Sequence, residues 1–316
     1  MASQKIVVLG TGGTIAGKAS SQGDNVGYTA AQVTVDDLLR SVPGLRALVS
    51  GGLVAEQIAQ LDSKDMDWSV WIALARRCQA LQLDSAVRGI VVTHGTDTLE
   101  ETAWFLANAV HGSKPVVLTC AMRPSTSLTP DGPQNLLDAV SLAQDDSAAG
   151  VLVVAAGEVH SAQRVRKAHP YRVAAFTSDE AGPLGWMEEG CVRWAHAHPV
   201  AKTMGMQDAL LGGADPEMPW VEIVNSHACA SARQIRALLH AGVQGLVVAC
   251  TGNGTIHRSM EEALLQAQEQ GVSVVRASRC TEGQIIARGG EGLPVAAGLS
   301  PVKARVSLML HLLKAV

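Results

Sequence analysis

At 316 residues the chain has length for two domains, or one large one, with room for substantial cores. Its 25 Lys and Arg against 29 Asp and Glu leave a formal charge of −4, which excludes the basic surface that nucleic-acid phosphates require. Hydrophobic residues make up 47%, yet no run approaches the roughly 20 apolar residues of a membrane-spanning helix, and aromatics at 3% leave the interior to Val, Leu, Ile and Ala.

The predicted elements begin with a strand at 6–9, entered from Met1 to Lys5 without a basic segment or an apolar stretch. No export signal is visible there, and a cytoplasmic location is expected. β-branched runs at 89–93, 115–119 and 150–155 follow, separated by segments such as 65–81 and 98–110 whose apolar residues recur at helical spacing. Alternation of this kind predicts βαβ units and a mostly parallel sheet. The pattern lapses at 206–219, a stretch with Gly, Pro and Asp, and resumes at 221–224, 230–241, 245–250, 259–270, 272–276 and 301–314. The expected α/β architecture is a large domain at 1–205 with helices flanking a mostly parallel sheet, a linker at 206–219 and a smaller α/β domain at 220–316. Cys78, Cys120, Cys191, Cys229, Cys250 and Cys280 show no C-x-x-C spacing, and Cys120 and Cys250 end apolar runs, which fits reduced thiols.

In such sheets the loops at the carboxyl ends of strands converge on one crevice, so chemistry is sought there. The first strand runs into Gly10, Thr11, Gly12, Gly13, Thr14, Ile15, Ala16 and Gly17. These residues fit a Gly-rich turn. A dinucleotide fingerprint fails where Ile15 stands at the third Gly position and no acidic partner follows. A third reading has the glycines bringing backbone N–H groups close to a substrate, as an oxyanion site beside the Thr14 hydroxyl. The strand at 89–93 runs into His94, Gly95, Thr96, Asp97 and Thr98. Asp97 or Thr98 can cap the next helix, and Thr98 with Glu101 has capping-box spacing, but a cap leaves the hydroxyl, carboxylate and Gly together unexplained. Among ten His no pair has metal-ligand spacing, His196 and His198 being two apart in a loop, so no metal is expected.

Residues 11–16, 93–102 and 121–127 with Asp131 to Pro133, then 251–254 and 299–305, together resemble the bacterial-type L-asparaginase family over nearly the whole chain. The resemblance implies hydrolysis of the L-asparagine side-chain amide to L-aspartate and ammonia, often with some L-glutamine activity, without metal or organic cofactor. It assigns Thr14 as nucleophile on a loop that closes over substrate, Tyr28 as the lid tyrosine bonded to it, and Thr96, Asp97 and Lys167 as a second group, with Arg166 the alternative to Lys167. Substrate would be held by Ser63 through its carboxylate, by Thr96 and by Asp97 through its ammonium, while Ala121 offers a backbone carbonyl to the departing nitrogen. Lys64 beside Ser63 departs from secreted members and is closer to cytoplasmic ones. A neighbouring subunit would add Thr255 and a glutamate, Glu291 or its rival Glu282, which implies a homotetramer built as a dimer of dimers. The rival functions are a broader glutaminase-asparaginase, an amidase of the tRNA-dependent amidotransferase type, and a non-catalytic amino-acid sensor.

Overall fold

The computed structural model describes residues 4–196, 210, 212, 215–286, 292–296 and 298–314. It separates into two compact units, Met1–Asp215 and Pro216–Val316.

In the first unit, strands β1 (Lys5–Gly12), β2 (Leu53–Leu61), β3 (Val87–Thr93), β4 (Val116–Thr119) and β5 (Val151–Ala155) lie parallel. Three short strands, β6 (Glu158–Ser161), β7 (Gly185–Glu188) and β8 (Cys191–Trp194), extend the sheet antiparallel, giving the order β8-β7-β6-β5-β4-β3-β1-β2. Helices α1 (Val35–Ser41), α2 (Trp68–Leu83), α3 (Leu99–Ala109) and α4 (Gly132–Leu142) connect and cover the parallel strands. The sheet is therefore mostly parallel and helix-flanked. One core joins Ile6, Val8, Val91, Val117 and Val154 of the sheet to Leu38 and Leu39 of α1 and Leu136 and Val140 of α4. Elsewhere Trp71 of α2 stacks on Phe105 of α3, their rings 4.8 Å apart.

One shifted boundary and one strand missed by the sequence expectation have identifiable reasons. The helix expected from 65 starts at Trp68, because the Asp67 side chain accepts from Val70 N as its N-cap, and Ser63–Asp65 forms a separate 3-10 turn. Strand β2 is absent from the sequence pattern, since this edge strand is only half buried and carries Glu56, Gln57 and Gln60 among its apolar residues. In the expected linker, the described Leu210, Gly212 and Asp215 are gathered by the Arg76 guanidinium, at 3.0, 2.8 and 2.6 Å. Its positions 206–209, 211, 213 and 214 lie outside the described residues.

What positions the site is the order of the strands. The chain leaves β1 for β2 on one side, then returns to β3 on β1's other side, so the loops after β1 and β3 part and open a crevice between them. The second unit has its own parallel sheet, β9 (Val221–Asn225), β10 (Gly245–Cys250) and β11 (Ser273–Ser278), in that order. Helices α5 (Arg233–His240) and α6 (Arg258–Glu269) pack Ile235, Met260 and Leu264 against Val224, Leu246 and Val248. Helix α7 (Pro301–Lys314) closes the chain's fold.

Candidate active site

The loops after β1 and β3 touch through two glycines. Gly13 has φ +80°, and a Cβ on it would stand 2.3 Å from Gly95 Cα; a Cβ on Gly95 would stand 2.4 Å from Ser63 Oγ. No side chain fits at either position without moving its neighbours, so these glycines let Thr14, Thr96 and Ser63 share one crevice. All three residues are buried.

Thr14 opens a 3-10 turn, Thr14–Ala16, and its Oγ1 lies 2.7 Å from Tyr28 Oη. Tyr28 is carried by a two-residue antiparallel ladder, Tyr28–Thr29 against Lys18–Ala19. The base of that hairpin is fixed by two residues of the 121–127 motif: Ser125 N and Oγ donate to Gly17 O at 3.1 and 2.8 Å, and Thr126 Oγ1 accepts from Ala19 N at 2.9 Å. At its tip Asp24 Oδ1 accepts from Val26 N and Gly27 N, and these bonds, the one from Gly27 foremost, hold that carboxyl below the usual carboxylate range.

After β3, Thr96 Oγ1 accepts from Lys167 Nζ at 2.8 Å, and the same ammonium donates to Asp97 Oδ1 at 2.5 Å. Of the two adjacent bases it is Lys167 that reaches Thr96; the Arg166 guanidinium lies 3.7 Å from Asp179. Lys167 is presented by a short ladder, Arg166–Lys167 against Phe176–Thr177, and its own amide donates to Glu100 Oε1 at 3.4 Å. An open hollow of about 370 Å³ is lined by Asp97, Lys167, Ala168, His169 and Pro170. The Asp97 carboxylate is half exposed toward solvent while Lys167 is largely covered, so the carboxylate remains reachable by a cation.

Ser63 links the two sides. Its Oγ accepts from Asp97 N at 3.2 Å and its carbonyl from Thr98 Oγ1 at 2.7 Å. The expected capping box is thus corrected: Thr98 sits at the N-cap of α3, but its hydroxyl is drawn to Ser63 O and makes no cap bond. Lys64 bonds Asp62 Oδ2 at 2.8 Å and faces Asp65 at 3.3 Å, out on the surface.

Ala121, fully buried beyond β4, is held by a turn that joins the 121–127 motif to the Asp131 to Pro133 motif. Asp131 accepts from Met122 N and Arg123 N, each at 2.9 Å, while Asn135 Nδ2 donates to Cys120 O at 2.9 Å and Asn135 Oδ1 accepts from Ala156 N at 2.9 Å. Asn135 escapes a reading of the sequence because an Asn inside a helix has no distinguishing pattern.

Residues 5–200 match the family model described as Asparaginase, N-terminal, and residues 220–315 match Glutaminase/Asparaginase C-terminal domain. The chain belongs to the asparaginase family. It is 38% identical to L-asparaginase 2 of Escherichia coli (strain K12), covering 99% of this chain and 90% of that one. Identity is 35% to the glutaminase-asparaginase of Pseudomonas fluorescens biotype A, covering 98% and 86%. The crystal structure of a probable cytoplasmic L-asparaginase from Campylobacter jejuni superposes with a TM-score of 0.92 at 37% identity, covering 98% of this chain and 95% of that one.

The second unit carries the remaining family positions of the expectation. Thr255 ends a tight loop after β10, where its Oγ1 donates to Thr251 O at 3.0 Å and lies 2.8 Å from Thr251 Oγ1. Asn253 clamps that loop to the next one by bonding Ile286 N and O, at 2.7 and 3.2 Å. Glu282 is exposed, and Glu291 lies outside the described residues.

Proposed function

We propose that this member of the asparaginase family hydrolyses the side-chain amide of L-asparagine, with Thr14 as nucleophile. The observation that carries this reading is the pair of buried hydroxyls in one crevice, each on a different proton-exchanging partner, Tyr28 for Thr14 and Lys167 for Thr96. A simple binding site has no use for two such pairs, whereas amide hydrolysis needs a hydroxyl activated as nucleophile and a second group to protonate the departing nitrogen.

The side-chain chemistry distributes the roles. Thr14 Oγ1 attacks the amide carbon and passes its proton to Tyr28 Oη, which releases its own phenolic proton to solvent and so stays neutral. Because Lys167 donates to Thr96 Oγ1, the Thr96 hydroxyl proton is free to pass to the amide nitrogen, which leaves as ammonia and breaks the C–N bond, while the Lys167 ammonium returns a proton to Thr96 and regains one from solvent. Water then hydrolyses the acyl-threonine ester, returning the Thr14 hydroxyl and giving L-aspartate. Ser63 Oγ, already accepting from Asp97 N, keeps its own proton for the substrate carboxylate, and the reachable Asp97 carboxylate pairs the substrate ammonium. The Ala121 carbonyl accepts from the amide nitrogen.

The site is completed, in this reading, by Thr255 and a glutamate, Glu282 or Glu291, of a neighbouring copy in a homotetramer. A cytoplasmic location is supported by six cysteines that are all free thiols and by the name of the Campylobacter jejuni structure, although a relative from Haemophilus influenzae, 38% identical, is named as probable periplasmic.

Ammonia release from L-asparagine and L-glutamine, side by side, tests the function on the wild type and on Lys167→Met and Thr96→Ala. Release from asparagine that falls about 10³-fold in both folded variants is the expected result. Comparable rates on the two amides would make the chain a glutaminase-asparaginase. No release from either, with heat of binding on titration, would make it a sensor.

A further inference from the structure

A buried chain of side chains behind Thr96 has no part in the reaction scheme above. His94 is wholly inaccessible, and so is Thr102. The Trp71 indole N–H, which can only donate, bonds Thr102 Oγ1 at 2.8 Å; Thr102 Oγ1 lies 2.9 Å from His94 Nε2; and His94 Nδ1 lies 2.7 Å from Gly95 O. A carbonyl oxygen only accepts, so Nδ1 carries the proton. Burial pushes the imidazole down to about 4, so at neutral pH the ring has one N–H only and Nε2 is an acceptor. The Thr102 O–H therefore donates to Nε2, and every hydrogen along Trp71, Thr102 and His94 has one direction.

That direction ends on the peptide joining Gly95 to Thr96. In a trans peptide C=O and N–H point opposite ways, and no cis bond occurs among the described residues. Drawing the Gly95 carbonyl toward the buried imidazole turns the Thr96 N–H the other way, away from His94. We propose that His94 is a positioning residue: its Nδ1–H, fixed by Thr102 and Trp71, holds the Gly95–Thr96 peptide so that the Thr96 amide donates to the oxygen on which negative charge develops. The inference rests on the amide-hydrolysis reading. A donor of this kind acts on the transition state more than on bound substrate, so its loss falls on kcat.

Two substitutions separate this role from mere packing. In His94→Asn the shorter side chain places an amide N–H near the Nδ1 position and restores the donor to Gly95 O, whereas in His94→Gln the longer one places its amide near Nε2 and does not. His94→Gln is expected to lower kcat for ammonia release about 10- to 100-fold with KM within about threefold, and His94→Asn to recover most of the loss. Equal losses in two variants that melt alike, or a change in KM with kcat unaltered, overturn the proposal while leaving the hydrolase reading intact, because the wild type supplies the activity control. Nitrogen NMR of the His94 ring in the wild type decides independently of turnover: protonated Nδ1 with bare Nε2 supports the chain, and the opposite tautomer removes it.

Discussion

Both units of the molecule end a central parallel strand in a pair of polar loop residues containing threonine, and the two ends are built for different purposes. After β1 and β3 the Thr14 and Thr96 hydroxyls each meet a side chain from another element, Tyr28 or Lys167, whose own proton can move. After β10 the Thr251 and Thr255 hydroxyls bond each other and each other's carbonyls, closing a tight loop with no ionisable partner in the pair. The residue type is the same, so the difference lies in what the fold sets opposite it. A threonine becomes a candidate nucleophile through a partner carried from another part of the chain, 14 residues away for Tyr28 and 71 for Lys167.

The largest test of this contrast exchanges the threonines' fates. Thr14→Ala is expected to cost about 10³-fold or more in kcat with an unchanged melting curve, while Thr251→Ala leaves kcat within a fewfold. Equal effects would erase the distinction between the two loops. Next comes the contact that makes the first crevice possible: Gly13→Ala forces a Cβ against Gly95 backbone, and ammonia release should fall about 100-fold alongside a lower melting temperature, since positive φ and the clash add.

Acid stability sharpens the comparison from the side of the supporting core. The neutral His94 sits far below its ordinary range of 6.5, so the unfolded chain takes up a proton before the folded one does. Stability from this group is fully present above pH 6.5 and is lost as pH falls from there toward 4. Denaturant titrations of wild type and His94→Asn at about pH 7 and 4.5 should show the wild type losing roughly 2–3 kcal/mol more over that interval. The smallest effect is expected at Thr255. If it completes a neighbour's site, Thr255→Ala raises KM about tenfold with little change in kcat, read from steady-state ammonia release; an unchanged KM would confine that loop to a structural role.

How far the sequence carries the site differs from residue to residue. Thr14, Thr96 and Asp97 stand on Gly-rich strand ends, where local pattern and the logic of parallel sheets converge, and Tyr28 stands out as one of only two tyrosines. The roles of Ser125, Thr126, Asn135 and Glu100 are not legible, although the first two and the last stand in motifs that carry the family resemblance, because each acts through hydrogen bonds to backbone far away in sequence. Strand β2 escapes for a related reason: an edge strand buried on part of one face lacks the apolar run that marks the central strands. Thr98 shows the opposite error, a sound local capping pattern overridden when Ser63 O comes within reach of its hydroxyl.

The amino-acid sequence by itself determined the alternation of strands and helices, the apolar central strands and the hydroxyl-rich, Gly-rich loops that follow them, because periodicity and backbone preference are properties of neighbouring residues. Tertiary structure alone decided which of Arg166 and Lys167 faces Thr96, which way the His94 proton points, and that Gly13 packs on Gly95. Each of these depends on a meeting of atoms far apart in the chain, or on burial that leaves a polar group one available partner, and such constraints arise only when the chain has closed on itself.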